Sequence, residues 1–232
     1  MADQAAALLL GLIATALEER SGAHVVLAGG GTPRAAYGLV AAGIAERRLP
    51  RERIRWSFGD ERWVAVDDPQ SNEGMARAAL LGPLGAREET INSWHAGAGD
   101  PVECAAGYRI GIAPDIVILG MGPDGHTASL FPGAVARLPG GAAATVSAEL
   151  PGTAAAIEPG QGRGWRLTLC PAILRSARAV VFLVTGEDKA AAFRRAVNGD
   201  PSTPAAWIRG GQTIFVATRD VIENGGRDTR HA

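Results

Sequence analysis

Short apolar or β-branched runs recur along the chain and alternate with longer stretches that have helical spacing. His24–Ala28, Ile54–Phe58, Asp115–Leu119, Ala179–Val184 and Thr213–Ala217 predict strands. Several are continuously apolar, as parallel strands covered on both faces are. The intervening helices are predicted over Pro33–Arg48, Asn72–Leu81, Val102–Ile110, Pro171–Ser176, Glu187–Val197 and Pro204–Ile208. Thr32 is the expected N-cap of the first of these, with Pro33 in its first turn, and Ser71 the expected cap of the second. A further apolar stretch, Ala5–Leu17, opens the chain and predicts an amphipathic helix packed on a sheet. It falls short of the ~20 residues a bilayer requires, and Asp3 rather than a cation precedes it. A cytoplasmic protein with no membrane partner is the expectation.

Strand alternating with helix implies an α/β fold: a doubly wound, mainly parallel sheet with helices on both faces. In such sheets ligands bind beyond the carboxyl ends of the strands. Four of the five predicted strands end in Gly-rich or charged tripeptides, which gathers the polar chemistry at one edge. Pro132–Gly164 breaks the pattern with Gly, Ala and Pro. It holds one strand candidate, Thr145–Ala148, and is read as a small excursion rather than a domain. A single domain over residues 1–223 and a polar tail over 224–232 complete the plan.

Composition narrows the classes. The chain has 232 residues, 47% of them hydrophobic, which suits a domain with a substantial core and excludes a largely disordered chain. A net charge of −1 offers no field for bulk nucleic-acid binding. Cys104 and Cys170 form no Cys-x-x-Cys pair, and the four histidines show no zinc spacing, so no metal site is expected. Of the 23 basic residues only Lys189 is a lysine.

Four segments carry candidate chemistry. Gly29-Gly30-Gly31-Thr32-Pro33 joins a strand to a helix, where glycines permit close backbone approach and the helix N-terminus favours an anion. It is neither a P-loop, since no Gly-Lys-Ser/Thr follows, nor a dinucleotide fingerprint, since Arg34 stands where the last glycine would be. Gly59-Asp60-Glu61-Arg62-Trp63 leaves a second strand. Its carboxylates either position a hydroxylated substrate or form a surface ion pair, and taken alone the ion pair is the simpler reading. Gly120-Met121-Gly122-Pro123-Asp124-Gly125-His126-Thr127 places a histidine beside an aspartate, with an unperturbed pKa suited to general-base work near neutrality. Thr185-Gly186-Glu187-Asp188-Lys189 brings the lone lysine into a strand-to-helix turn, where an ammonium is a good point charge for phosphate. Arg166 is a weaker anion candidate.

Together these segments resemble the 6-phosphogluconolactonase family. The resemblance rests on Ala28–Pro33, Trp56–Val64, Ser71-Asn72, Leu119–Gly133, Arg166–Leu169 and Gly186–Lys189, spans about residues 5–218, and is most specific at Asp124–Pro132. It implies the fold shared with glucosamine-6-phosphate deaminases and the hydrolysis of 6-phospho-D-glucono-1,5-lactone. It further implies His126 as general base, Gly29, Gly30, Gly31, Thr32 and Lys189 near the substrate phosphate, and Arg62 and Arg166 lining the pocket. Asp124 and Arg62 join His126 as catalytic candidates, and Asp60 and Gly122 join the binding set. One departure is that family members usually carry a strand before the first helix, whereas Met1 here opens almost directly into that helix.

Lactone hydrolysis by this route needs no cofactor. The expected partner is a small sugar-phosphate lactone, bound by a monomer or homodimer. A deaminase or isomerase is the nearest rival, but that family carries Phe-Asn-Glu-Pro after its histidine. The aligned Ser129-Leu130-Phe131-Pro132 puts Phe131 where the ring-opening Glu would be. A sugar-phosphate sensor is the rival from another class; it would have little use for His126 beside Asp124.

Overall fold

A computed structural model describes residues 1–160 and 162–224. The chain runs α1 (Ala2–Glu19), β1 (Ala23–Leu27), α2 (Gly31–Glu46), β2 (Ile54–Phe58), β3 (Asp60–Arg62), α3 (Asn72–Ala76), α4 (Gly82–Leu84), β4 (Ile91–Asn92), α5 (Pro101–Gly107) and β5 (Ile116–Leu119). It continues through β6 (Val135–Arg137), β7 (Ala143–Thr145), β8 (Ala154–Glu158), β9 (Arg166–Leu169), α6 (Pro171–Arg175), β10 (Ala179–Val184), α7 (Ala190–Val197), α8 (Pro204–Trp207), β11 (Gln212–Ala217) and α9 (Arg219–Asn224).

Among the described residues the strands form two sheets. The first has the order β11-β10-β5-β1-β2-β4 and is parallel throughout. Every residue of β1, β5 and β10 is buried, so both faces of the sheet are covered, as the continuous apolar runs require. Burying each Val, Ile or Leu here contributes about 1.5–3 kcal/mol relative to exposure. The chain builds outward from β1 on one side through β2 and β4, then on the other through β5, β10 and β11. The switch point between β1 and β5 is therefore where a cleft opens beyond the strand ends.

The 132–164 excursion is more regular than its composition suggested. The expected strand Thr145–Ala148 is instead β7 at Ala143–Thr145, and it joins β6, β8, β9 and β3 in a second, antiparallel sheet. Alanine carries weak strand preference alone, so Ala154-Ala155-Ala156 gives little local signal. Those residues lie in β8, which is buried from Ala154 through Ile157. Pairing Asp60 with Thr168 and Arg62 with Arg166 seals this sheet against the end of β2.

Several boundaries move. The expected Asn72–Leu81 helix is α only to Ala76, widens to a π-turn over Arg77–Leu81, and resumes at Gly82. Pro83, which offers no N–H to the preceding turn, lies just beyond the widened segment. Ser71 caps it as expected, accepting from Gly74 N at 3.0 Å. Glu187–Lys189 is a 3₁₀ turn leading into α7, so Lys189 is the N-cap residue rather than part of the α-helix. The α5 helix starts at Pro101, capped by Asp100. No strand precedes α1 among the described residues. The polar tail expected over 224–232 lies, from Gly225 on, outside the described residues; Asn224 closes α9.

Candidate active site

The loops leaving β1, β2, β5 and β10 converge on a cleft of two joined lobes. The inner lobe, about 190 Å³, is lined by Gly29–Thr32, Asn72, His126 and Lys189, among others. The outer lobe, about 360 Å³, is lined by Asp124, Phe131, Arg163 and Arg166. Asp60, Arg62, His126 and Ala128 belong to both. Together the lobes are of the size small-molecule sites have, about 300–1,000 Å³.

The inner lobe begins where β1 ends. Tyr37, nearly two turns into α2, fixes the strand end: its hydroxyl accepts from Ala28 N at 2.9 Å and donates to Ala28 O at 2.8 Å. Gly30 then turns at φ 99°, which a side chain rarely adopts, and caps α2, which starts at Gly31. The expected Thr32 cap is thereby displaced: Thr32 lies inside the first turn, and its hydroxyl meets that of Thr185 at 2.6 Å. The free N–H groups of this helix start and the Lys189 ammonium thus face one pocket.

Asp60 and Glu61 are buried, at 9% and 1% exposure, so neither forms the surface ion pair entertained from sequence. They point to opposite sides of β3, as neighbours on a strand must. Glu61 serves α3: its carboxylate accepts from the backbone N of Asn72 (2.7 Å) and Glu73 (2.8 Å) and from the Ser71 hydroxyl (3.0 Å). Asp60 faces the cleft. Its Oδ2 accepts from Ser129 Oγ at 2.7 Å and its Oδ1 from Asn72 Nδ2 at 3.2 Å. Burial pushes the Asp60 carboxyl above its ordinary range, against the Ser129 hydroxyl and the charges of Arg62, His126 and Arg166.

The β5 loop presents His126. Asp124 Oδ1 stands 2.5 Å from Nδ1 and also accepts from His126 N at 3.1 Å. Burial works to raise Asp124, but the backbone N–H and the ring of His126 outweigh it and hold the carboxylate below its usual range. An ionised Asp124 accepts a hydrogen bond from Nδ1–H and so favours the tautomer whose Nε2 carries the free lone pair. The His126 side chain keeps 28% exposure, enough for a water or substrate to reach it. Gly122 is not a lining residue. It lies against the histidine, and a Cβ there would overlap the ring. Ala128 holds φ 48°, a strained value, between His126 and Ser129. Arg166, half-buried, has its pKa lowered by burial first and by the neighbouring Arg62 second.

The structure thus brings His126, Asp124, Arg62, Asp60, Arg166, Gly29–Thr32 and Lys189 to one cleft. Sequence reasoning missed Asn72, Ser129, Phe131 and Arg163 as lining residues and Thr185 as a loop tie. Asn72 and Ser129 stood inside motifs already singled out, whereas Arg163 carried no local signal.

The sequence pattern of the family described as glucosamine-6-phosphate isomerases/6-phosphogluconolactonase matches residues 1–216. A 6-phosphogluconolactonase of Synechocystis is 35% identical over 228 residues, covering 91% of this chain and 88% of the relative. One from Mycobacterium tuberculosis is 35% identical over 230 residues, covering 91% and 89%. The crystal structure of a 6-phosphogluconolactonase from Thermotoga maritima superposes with a TM-score of 0.78 at 26% identity, covering 94% of this chain and 95% of that one. With the fold, the cleft and the matched length in agreement, this chain belongs to the family of glucosamine-6-phosphate isomerases and 6-phosphogluconolactonases.

Proposed function

We propose that this chain hydrolyses 6-phospho-D-glucono-1,5-lactone to 6-phospho-D-gluconate, a step of the oxidative pentose phosphate pathway. The observation that carries the reading is the Asp124–His126 pair, 2.5 Å apart, set between a phosphate-type loop on one side and arginines on the other. The names of the relatives support the same substrate.

The 6-phosphate sits at Gly29–Thr32 and Lys189, and this remote binding holds C1 beside His126. Water attacks C1 while Nε2 of His126 takes its proton. Asp124 stabilises the imidazolium through Nδ1–H. Arg62, at the junction of the lobes, faces the charge that develops on the carbonyl oxygen. The tetrahedral intermediate then collapses with cleavage of the C1–ring-oxygen bond, and His126 returns the proton to the departing C5 oxygen. Asp60 and Arg166 frame the lactone ring, and Gly122 gives the histidine ring its room. No step needs a metal. Among the described residues no three His, Cys, Asp or Glu side chains group as metal ligands, and no helix is long and apolar enough to cross a membrane. The protein works on this small molecule in the cytoplasm as a monomer or homodimer, without nucleic acid.

The test is the rate of lactone loss with purified protein against the spontaneous rate at neutral pH. Acceleration of many orders is expected. No acceleration, with ammonia released from glucosamine 6-phosphate by the same preparation, would transfer the chain to the deaminase branch. Phe131 in place of a ring-opening carboxylate argues for the first outcome.

A further inference from the structure

Two neighbouring glycines open the inner lobe for different reasons. Gly30 needs its positive φ. Gly29 has none, so its backbone would accept a side chain, and the obstacle is Asn72 instead. A Cβ on Gly29 would overlap the Oδ1 and Cγ of that residue. Asn72 is 3% exposed and sits at the start of α3, where its backbone N donates to Glu61 Oε1 at 2.7 Å. Its Nδ2 donates to Asp60 O at 3.0 Å and to Asp60 Oδ1 at 3.2 Å. Two acceptors at one end of the amide fix its orientation, and Oδ1 is left against Gly29. That oxygen has no hydrogen-bond partner among the described residues. A buried acceptor left unmet costs stability, so the fold gains nothing from this end of the amide. Beyond Asp60, the Oδ2 atom accepts from Ser129 Oγ at 2.7 Å, on the loop that carries His126. Gly29, Asn72, Asp60 and Ser129 thus form a continuous bridge from the phosphate-type loop to the histidine loop.

We propose that Asn72 is a positioning residue: wedged between Gly29 and Asp60, its amide sets the register between the phosphate cradle and His126, and position 29 is a glycine in order to admit it. The proposal rests on the lactonase reading for what is held at the two ends of the bridge. A phosphate anchored on the loop after β1 brings C1 to the base only if that loop keeps its distance from the histidine loop. A displacement of about 1 Å costs roughly 10²-fold in rate. Asn72 touches no reacting atom in this scheme and acts through Gly29 and Asp60. A smaller residue would free the glycine loop to settle inward, and an apolar one of the same size would leave the Asp60 carboxylate without its amide donor.

The experiment is a double-variant cycle on lactone hydrolysis with Gly29→Ala, Asn72→Ala and the pair. Each protein is melted and titrated with 6-phosphogluconate, so that kcat refers to folded sites. Gly29→Ala is expected to lower kcat about 10–100-fold while product affinity changes less than about threefold. Asn72→Ala keeps the backbone bond to Glu61 and the Ser71 cap, and is expected to lower kcat about 3–30-fold. Adding Gly29→Ala to Asn72→Ala is expected to cost less than about twofold more, because the overlap is gone. An equal cost of Gly29→Ala in both backgrounds would mean that the ligand, not Asn72, requires the glycine, and would overturn the proposal. Wild-type kcat in either single variant would overturn it too, as would Asn72→Ala that does not fold, which would make the residue structural. If Gly29→Ala alone fails to fold, a folded pair reports the same relief in the melts, and an unfolded pair overturns the proposal. Lactone hydrolysis by wild type separates the two claims. Its absence removes the proposed function and this role with it. Its presence with independent effects of the two substitutions removes only the role of Asn72.

Discussion

The hydroxyls of Thr32 and Thr185 stand 2.6 Å apart although 153 positions separate them in the chain. The bond ties the first turn of α2, which follows the β1 glycine loop, to the loop after β10, and these two segments carry the two halves of the proposed phosphate cradle. A neutral hydrogen bond of this kind contributes about 0.5–1.5 kcal/mol. Thr185→Val is therefore expected to raise KM for the lactone roughly 2–10-fold with a smaller effect on kcat, while Thr185→Ser keeps wild-type values. Steady-state kinetics check this; unchanged KM in Thr185→Val would show that the loops hold their places without the bond.

His126→Ala removes the base and leaves the Gly loop and Lys189 in place. The rate is expected to fall about 10²–10⁴-fold, with product affinity nearly retained. Calorimetric binding beside the rate measurement separates lost chemistry from lost fold. A folded, fully active variant would reassign the base.

Lys189 is expected to supply the point charge at the phosphate. Lys189→Ala should weaken 6-phosphogluconate binding by about 10–150-fold, the value of a charge-assisted contact of roughly 1.5–3 kcal/mol. Lys189→Arg should recover part of it, since a planar guanidinium fits a compact site less well. Titration of both variants at one ionic strength decides, and wild-type affinity in Lys189→Ala would place the phosphate elsewhere.

Gly122 is a positioning residue. An alanine there overlaps the His126 ring and reaches the Asp124 carboxylate. Gly122→Ala is expected to displace the base and lower kcat about 10–100-fold with KM little changed. Wild-type kcat in a folded variant would show that the ring has room to move.

Burial raises the folded-state pKa of Asp60, and Glu61 shares the direction from burial too. A carboxyl raised in this way favours folding when protonated. Its contribution is complete below the ordinary carboxyl range and is lost as pH rises through the raised folded value. Asp60→Asn removes one such group; its amide nitrogen can donate to Ser129 Oγ, which in the wild type donates to the carboxylate, while its oxygen accepts from Asn72. The variant's melting temperature is therefore expected to gain on wild type as pH climbs from about 4 towards 8. A constant difference across that range would mean that Asp60 does not titrate anomalously.

The sequence alone determined the parallel sheet and the loops that carry the chemistry. Ile54–Phe58 and Ala179–Val184 match their strands to the residue; the second is a continuous apolar run, which suits a twice-covered sheet, and the first sets apolar Ile54, Trp56 and Phe58 in alternation with Arg55 and Ser57. The segments from Gly29 to Thr32, from Asp60 to Arg62 and from Asp124 to His126 follow such strands directly, so strand direction fixes their edge. Tertiary structure decided what depends on residues distant in the chain. The antiparallel sheet of β3, β6, β7, β8 and β9 exists through pairings such as Asp60 with Thr168, and its alanine-rich strands carry no periodicity of their own. Burial of Asp60 and Glu61, the Thr32–Thr185 bond and the stacking of Arg163 on Phe131 likewise arise only when separate loops meet. Local patterning encodes the elements that backbone geometry and burial on a single face can enforce; contacts between loops are set by the packing of the whole sheet, which no short stretch of sequence contains.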